Sequence, residues 1–403
     1  MSITFEKAAN SGTDQHLCGT FISTLTGNAP VIGTGTLSQL SGPSLATFAN
    51  PSNPTTTATV TAYGTYEFNW RIENGGFCSS DDPITVVYNP VGQVNLISGQ
   101  VLCNNGATTA ISLSSANGST IFNWVNSAPG IGLALSGSGD IASFTATNVT
   151  NAPVVANIVV TPYFTDGVVN CPGPTKSFPI TVNTTAQVNQ PTDLVICAGS
   201  PSGAINFTTA NAPGTTTYSW TNSDATIGLA GSGTGNIASF NAVNAGITPV
   251  TATIIVIPKY NNGSVDCSGL SKTFTITVNP KGQVTKPSDL TLCHNGTGTV
   301  SFSTINANGA TTYSWTNSNT AIGLAGSGTG NSISFTGTNA GTSPITGTIT
   351  VTPTFSNGGT NCPGTPEIFV ITVNPTAQVN QLVVYTFCNG LPAAVPFTTN
   401  NSG

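Results

Sequence analysis

A chain of 403 residues with 5% charged side chains and only seven Lys and Arg has little positive charge with which to bind nucleic acid. Its longest apolar runs, such as 252–257, are far shorter than the roughly 20 residues that cross a bilayer as a helix. Neither a nucleic-acid partner nor a membrane span is expected. Thr, Ser and Asn alternate with Val, Ile, Phe and Tyr, which is typical of an all-β extracellular protein.

The first residues, MSITFEKAANSG at 1–12, have acidic and amide side chains where a secretory signal would have a basic patch and an apolar core. We therefore expect that a signal has been removed or that the chain is an excerpt from a longer one.

Internal repetition organises the rest of the chain. The stretch TTYSWTNSDATIGLAGSGTGNIASF at 216–240 returns almost unchanged at 311–335 and, more loosely, at 120–144, a period of about 95 residues. A short joint with a glutamine recurs at the same period, at Gln93, Gln187, Gln283 and Gln378. The predicted domains are a divergent first module at 1–90, three close relatives at 91–184, 185–280 and 281–375, and a truncated start of a further module, the stub, at 376–403.

Each module is predicted to be a β-sandwich. In the third module we expect about seven short strands, LVIC, AINFTT, TTYSW, IGL, ASFNAV, TATIIVIP and SKTFTITV, separated by turns rich in Gly, Asn and Pro. The joints are short and often hold a proline, so neighbouring modules should be semi-rigid. With each module about 40 Å long, the predicted fold is a set of tandem sandwiches that forms an elongated rod.

The glycine-rich segment IGLAGSGTGN at 227–236 could suggest a phosphate-binding loop. It has no lysine within reach, a strand-like stretch follows it, and it recurs at 322–331 and, as IGLALSGSGD, at 131–140. We therefore interpret its glycines as hairpin or bulge positions that require positive φ.

The nine cysteines follow the repeat, with two in each module and one in the stub. One pairing joins the two cysteines of each module, Cys18–Cys78, Cys103–Cys171, Cys197–Cys267 and Cys293–Cys362, and leaves Cys388 unpaired. The other joins each second cysteine to its successor, about 25 residues on; sequence alone leaves both open. We favour pairing inside modules, because the last strand must run the module's length before the next module begins. Disulfides would imply an oxidising compartment.

Each complete module has one tryptophan: Trp70, Trp124, Trp220 and Trp315. An aromatic residue two positions earlier shares its strand face, which could suggest a sugar-binding surface. One large ring at a fixed place in each module is better explained by a sandwich core. Trp70 lies eight residues before Cys78, the second cysteine of its module, whereas the other three tryptophans lie about 22 residues after the first cysteine of theirs. The first module should therefore carry its tryptophan on a late strand.

No catalytic or metal site is predicted. The two histidines, His16 and His294, lie in different modules, and the only adjacent acids, Asp81 and Asp82, are more often a solvated turn than a calcium site. Neither a nucleophile elbow nor close CxxC or CxxH spacing occurs. We expect a non-enzymatic protein without a cofactor.

The repeated units YSWTN…IGLAGSGTGN…F.ITVNP.AQVNQP, over about 91–403, resemble the PKD-like repeats of very large Bacteroidetes cell-surface adhesins of the SprB gliding-motility type. The first module looks like a related PKD subtype. The resemblance implies an Ig-like sandwich fold, export by a type IX secretion system, attachment outside the outer membrane, and a long filament or stalk for adhesion or gliding. Contact with a surface or polysaccharide would then be made by parts outside this chain.

Two other interpretations compete with a stalk. A multivalent carbohydrate-binding array would need a second, exposed aromatic platform in each module, and Tyr163, Phe164, Tyr260 and Phe355 are the candidates. The stub could also donate an apolar strand, LVVYTF or VPFTT, to another chain, although truncation explains it more simply.

Overall fold

The structure is a computed structural model that describes residues 5–75, 78–263, 265–381, 383–390, 392 and 394–402. Its chain divides into two compact units. The first unit comprises Met1–Ala186, Asn211–Thr215 and Tyr260–Cys267, and the second comprises Gln187–Ala210, Thr216–Lys259 and Ser268–Gly403. Within the described residues the helices are three short 3-10 turns and all other regular structure is strand, so the predicted all-β, Ig-like sandwich fold is confirmed.

The first module, in the first unit, is a two-sheet sandwich. Its strands are β1 (Gln15–Cys18), β2 (Ile22–Thr26), β3 (Thr34–Ser41), β4 (Thr47–Phe48), β5 (Thr55–Thr59), β6 (Gly64–Asn74) and β7 (Cys78–Asn89). One sheet has the order β1-β7-β6-β3 and the other β2-β5-β4. Alternating residues of β6 and β7 fill the core between the sheets, and Trp70 on β6 is buried. The expected late-strand position of this tryptophan is confirmed.

The second module, also in the first unit, has one regular sheet and a less regular layer facing it. Its strands are β8 (Gln100–Cys103), β9 (Thr120–Asn126), β10 (Ser136–Ser138), β11 (Val154–Thr165), β12 (Asn170–Pro172) and β13 (Lys176–Asn183). The sheet order is β10-β9-β11-β13-β8, with β12 paired to β11. Isolated bridges, such as the one between Ile111 and Ile141, form the facing layer, and both of those side chains are buried against the sheet.

The third module repeats this arrangement. Its strands are β14 (Leu194–Cys197), β15 (Thr215–Asn222), β16 (Ser232–Thr234), β17 (Val250–Asn261), β18 (Asp266–Ser268) and β19 (Lys272–Asn279), in the order β14-β19-β17-β15-β16 with β18 paired to β17. Its main core, which includes Trp220, lies in the second unit. The predicted strand IGL at 227–229 is wrong: Ala225–Ile227 is a 3-10 turn that ends at Gly228 in the left-handed region.

The fourth module lies in the second unit. Its strands are β20 (Leu290–Cys293), β21 (Thr297–Ser301), β22 (Ala310–Asn317), β23 (Ser327–Thr329), β24 (Ser332–Thr336), β25 (Ile345–Asn357), β26 (Thr360–Pro363) and β27 (Glu367–Asn374). One sheet has the order β20-β27-β25-β22-β23, with β26 paired to β25, and the other pairs β21 with β24. Trp315 on β22 is buried between them. No strand is assigned in the described residues of the stub, and Leu382 of its predicted apolar strand lies outside them.

In every module the first strand runs parallel to the last one and beside it. The register places each first-strand cysteine beside the asparagine that ends the last strand: Cys18 by Asn89, Cys103 by Asn183, Cys197 by Asn279 and Cys293 by Asn374. The chain leaves the module after that asparagine. We call this end of each module its exit face.

In the three later modules the second cysteine lies at the opposite end. The long strands β11, β17 and β25 run antiparallel to the last strand and then pair with β12, β18 and β26, which carry Cys171, Cys267 and Cys362. We call each of these a cysteine hairpin. Along β11, Val154 lies beside Val182 and Phe164 beside Cys171, a run of about ten residues or roughly 33 Å. The two cysteines of one module are therefore too far apart to bond.

Candidate functional site

The structure has three disulfides, Cys18–Cys171, Cys103–Cys267 and Cys197–Cys362, with Cα atoms 5.2 to 5.4 Å apart. Each joins the exit face of one module to the cysteine hairpin of the next. Both sequence-based pairings are wrong, because neither considered that the first strand ends at the exit face. We call each disulfide, with the polar residues around it, a clasp.

Three cysteines have no bond among the described residues: Cys78, Cys293 and Cys388 are free and exposed. This corrects the predicted disulfide roles of Cys78 and Cys293. Cys78 begins β7, whose far end is Asn89 beside Cys18, so β7 itself separates the two cysteines of the first module.

The first clasp is built around the carboxylate of Asp166. His16 Nδ1 donates to Asp166 Oδ2 over 2.6 Å, and Asn89 Nδ2 donates to the same oxygen over 2.6 Å. Asp166 Oδ1 accepts the backbone N–H groups of Val168 and Val169 at 2.9 Å each. One carboxylate thus ties the exit face of the first module to the turn of the next module's cysteine hairpin.

The pKa of Asp166 lies well below its ordinary value. Burial by itself would raise the pKa of this carboxyl, but four hydrogen bonds to its charged form outweigh that effect, from Val169 N–H, His16, Val168 N–H and Asn89. Because the folded-state pKa is depressed, the stabilisation is fully present above the unfolded-state pKa of about 4 and is lost as the pH falls from there through the folded value.

We expect Asp166→Asn to lower the free energy of unfolding of the first clasp by about 1 kcal/mol near pH 6, and we expect this loss to become smaller as the pH falls below about 4 towards pH 2. The measurement is urea unfolding of both proteins at the two pH values, with amide exchange at Val168 and Val169 as the local readout. Asparagine is a matched replacement because Asn262 and Asn357 hold the same position in the later clasps. A difference that is as large at pH 2 as at pH 6 would show that the carboxylate charge is not involved.

The second clasp packs tightly within the first unit. Ala186, Tyr260 and Cys267 are each at most 1% exposed and form a small apolar cluster with Cys103 and Val265. Beside it, Asn262 Nδ2 donates to Asn183 Oδ1 over 3.4 Å. The joint is therefore a packed contact with its own small core.

The third clasp, within the second unit, uses a reciprocal amide pair. Asn357 Nδ2 donates to Asn279 Oδ1, and Asn279 Nδ2 donates to the backbone oxygen of Asn357, both over 3.0 Å. Thr360 Oγ1 adds a bond to the backbone oxygen of Val195 over 3.2 Å. An exit asparagine and an Asp or Asn five residues before the hairpin cysteine thus meet in every clasp.

Glycines allow the backbones to approach at two of the clasps. A Cβ atom on Gly173 would lie 1.7 Å from the backbone oxygen of Gly92, and one on Gly364 would lie 1.6 Å from that of Gly282. Gly92 and Gly282 donate their N–H groups to the backbone oxygens of Cys171 and Cys362, over 3.1 and 3.0 Å. No larger residue fits at Gly173 or Gly364 without moving the joint.

The other candidate residues have structural partners. Asp81 bonds Arg71 and Asn69, and Asp82 accepts the N–H and hydroxyl of Ser11. Among the described residues no cluster of three or more His, Cys, Asp or Glu is placed to hold a metal. His294 Nδ1 accepts the backbone N–H of Asn339. These residues hold strands and loops together.

The aromatic residues considered for sugar binding are mostly covered. Tyr260 and Phe355 are fully buried, and Tyr163 and Phe164 are half-buried. The four tryptophans are between 1% and 8% exposed. Within the described part of the chain, these residues form no exposed platform.

Sequence reasoning missed the clasps because their members lie far apart. His16 and Asp166 are separated by 150 positions, and the disulfides by 153 to 165. The signal that could have found them is the repetition of an asparagine at each exit and of Asp or Asn five residues before the second cysteine of each of the three later modules.

Comparison with known proteins gives fold likenesses only. No family model matches the chain, and no curated protein does. Among solved structures, the chain is similar to a PKD domain from the KIAA 1837 protein, with 21% identity, 22% of this chain and 93% of that one covered, and a TM-score of 0.20. No family membership follows from these results.

Two multi-domain structures are similar over most of the chain. Protocadherin gammaB7 EC3-6 has 12% identity, covers 91% of this chain and 100% of its own, and has a TM-score of 0.33. Drosophila N-cadherin EC1-4 has 12% identity, covers 90% and 98%, and has a TM-score of 0.25. In the described part of this chain, no helix has the length and apolar character needed to cross a membrane.

Proposed function

We propose that the chain is a non-enzymatic structural segment of an extracellular stalk, in which each module is covalently bonded to the next. The observation that carries this proposal is the repeated clasp: among the described residues there are three disulfides, each between consecutive modules and none within a module. A disulfide inside a module would stabilise that module alone. One across a joint restricts the joint and transmits tension.

The position of the disulfides suits a protein under load. The shortest covalent path between the two ends of the chain uses two disulfides. It follows residues 1–18, crosses Cys18–Cys171, follows 171–197, crosses Cys197–Cys362 and follows 362–403. The remaining residues lie in two loops that this path bypasses, and Cys103–Cys267 links one loop to the other. Tension is therefore carried mainly by three short segments, while most of each sandwich is protected from unfolding.

The setting of the stalk is part of the proposal. Disulfides persist in oxidising compartments, which supports an extracellular or cell-surface location. The sequence resemblance to adhesin repeats supports a role in adhesion or gliding, export by type IX secretion and attachment to the outer membrane. The module boundaries at 90, 184, 280 and 375 and the elongated shape belong to the same proposal. Burial of Tyr260 and Phe355 does not favour a carbohydrate-binding array.

Non-reducing peptide mapping followed by small-angle scattering tests this function. We expect the three cross-joint pairs and a maximum dimension near four modules in line, about 160 Å. Replacing Cys78, Cys293 and Cys388 by serine gives the control, since it removes the free thiols that could exchange. Pairs within modules, or a compact particle, would contradict the stalk.

A further inference from the structure

The exit face of the fourth module reproduces the faces that form clasps in the other three. Cys293 pairs in register with Asn374, as Cys18 does with Asn89, and the next backbone N–H, that of His294, donates to the oxygen of Asn374 over 2.9 Å. The same bond joins Gly19 to Asn89 over 2.9 Å. The backbone at Cys293 therefore has the same pairing as the backbone at the first-strand cysteine of each clasp.

The exit face of the fourth module is less buried than the exit faces of the other three. At the other exits the asparagine is nearly or fully buried: Asn89 is 4% exposed, and Asn183 and Asn279 are 0% exposed. Asn374 is half-buried. Three residues further on, Gly92, Ala186 and Gly282 are buried at their joints, whereas Ala377 is exposed. The fourth exit face is therefore a clasp surface without its hairpin.

The stub already makes the other contacts of a joint. Asn306 accepts the N–H of Gln283 over 2.7 Å and donates to the oxygen of Lys281 over 3.2 Å. Asn401 accepts the N–H of Gln378 over 2.7 Å and donates to the oxygen of Thr376 over 3.2 Å. The stub therefore leaves the fourth module along the route that 281–307 takes from the third.

Apolar side chains of the stub are also uncovered. Val379, Phe387 and Phe397 are between 48% and 70% exposed. Their counterparts in the third module are Val188, Ile196 and Phe207, because Cys388 aligns with Cys197 and the FTT at 397–399 with that at 207–209. All three counterparts pack in that module's core. The stub thus presents the first part of a core whose other strands would bring a cysteine hairpin.

We propose that the exit face of the fourth module is a docking site for the cysteine hairpin of a further module of this repeat, joined through the stub and bonded to Cys293. The bond replaces the thiols of Cys293 and of the hairpin cysteine, and their two electrons and two protons pass to an external oxidant such as molecular oxygen or a small-molecule disulfide. The partner chemistry is an Asn-Cys-Pro-Gly or Asp-Cys-Ser-Gly turn, as at 361–364 and 266–269, with Asn or Asp five residues before the cysteine. Glycine two positions after the cysteine is needed for the close approach seen at Gly173 and Gly364. This inference rests on the clasps of the proposed function.

The test completes the stub within the full chain. Residues 309–375 are appended after Gly403, in the register of the fourth module, and free thiols are counted in the unfolded, unreduced protein. The 403-residue chain is expected to show three, at Cys78, Cys293 and Cys388. The extended chain has one more cysteine and is expected to show one fewer thiol, with Cys293 bonded to the appended copy of Cys362.

Two controls make the count decisive. Serine in place of the appended copy of Cys362 should restore three free thiols, and tryptophan fluorescence should report a folded added module in both proteins. A folded extension in which Cys293 stays free, or in which the appended copy bonds Cys388, would overturn the inference. So would disulfide-linked dimers through Cys293. These outcomes are independent of the scattering measurement, so the stalk and this docking site can fail separately.

Discussion

Pulled by its two ends without reductant, the chain is expected to reach an end-to-end length of no more than about 300 Å, against about 1,400 Å after reduction. The reason is the covalent path through 1–18, 171–197 and 362–403, which contains fewer than a quarter of the residues. Single-molecule force spectroscopy measures both lengths directly.

Two double substitutions test which disulfides limit the end-to-end length. Replacing Cys197 and Cys362 by serine leaves a shortest path of about 220 residues, through Cys18–Cys171 and Cys103–Cys267, and should raise the limit to about 800 Å. Replacing Cys103 and Cys267 is the matched control, because that disulfide does not lie on the shortest path. It should leave the limit unchanged.

A chain with disulfides inside its modules would behave differently. Each bond would shorten its own module, and the two double substitutions would lengthen the chain by similar amounts. Equal effects of the two pairs would therefore refute the clasp connectivity. The comparison needs no knowledge of the ligand or of the rest of the stalk.

Gly233→Val is expected to destabilise the third module by about 3 kcal/mol, near the upper end of overpacking effects. Gly233 on β16 pairs with Trp220 on β15, and a Cβ atom would lie 2.3 Å from Cζ2 of the indole. The ring is 7% exposed and lies in the module's core, so it cannot move aside without disturbing that core.

Gly231→Leu, two positions earlier, is the matched control and should change the free energy of unfolding by less than about 0.5 kcal/mol. A Cβ atom at Gly231 meets nothing within 4 Å. The second module already has Leu135 at the equivalent position, where it is 63% exposed. The measurement is urea unfolding followed by tryptophan fluorescence, with amide exchange of β15 and β16 to localise the change.

The same pair of variants tests the interpretation of IGLAGSGTGN as a structural segment. Gly228 ends a 3-10 turn with φ of +95°, Gly235 has φ of +70°, and Gly233 lies against a tryptophan ring. Equal loss of stability in Gly231→Leu and Gly233→Val would mean that the segment has a requirement beyond these contacts. Three of its four glycines are otherwise explained by backbone and packing.

Strong alternation predicted the central strands well, because one face of each is buried and the other is solvated. The predicted strands TTYSW and TATIIVIP lie within β15 and β17, and SKTFTITV matches β19 except for Ser271, which precedes it. The predicted strands AINFTT and ASFNAV form only isolated bridges in the third module, although the fourth module has regular strands β21 and β24 at these positions. Local pattern could not separate these cases, since the pairing depends on the facing layer.

The sequence by itself determined the all-β class, the period of about 95 residues and the tryptophan of each module. All of these follow from local alternation and self-similarity. Only the tertiary structure decided the disulfide connectivity and the contact between His16 and Asp166. The physical reason is that the first strand runs parallel to the last, which brings each first cysteine to the exit face, more than 150 residues from its partner. Such contacts between distant segments cannot be deduced from the local alternation of apolar and polar residues, which reports only which face of a strand is buried.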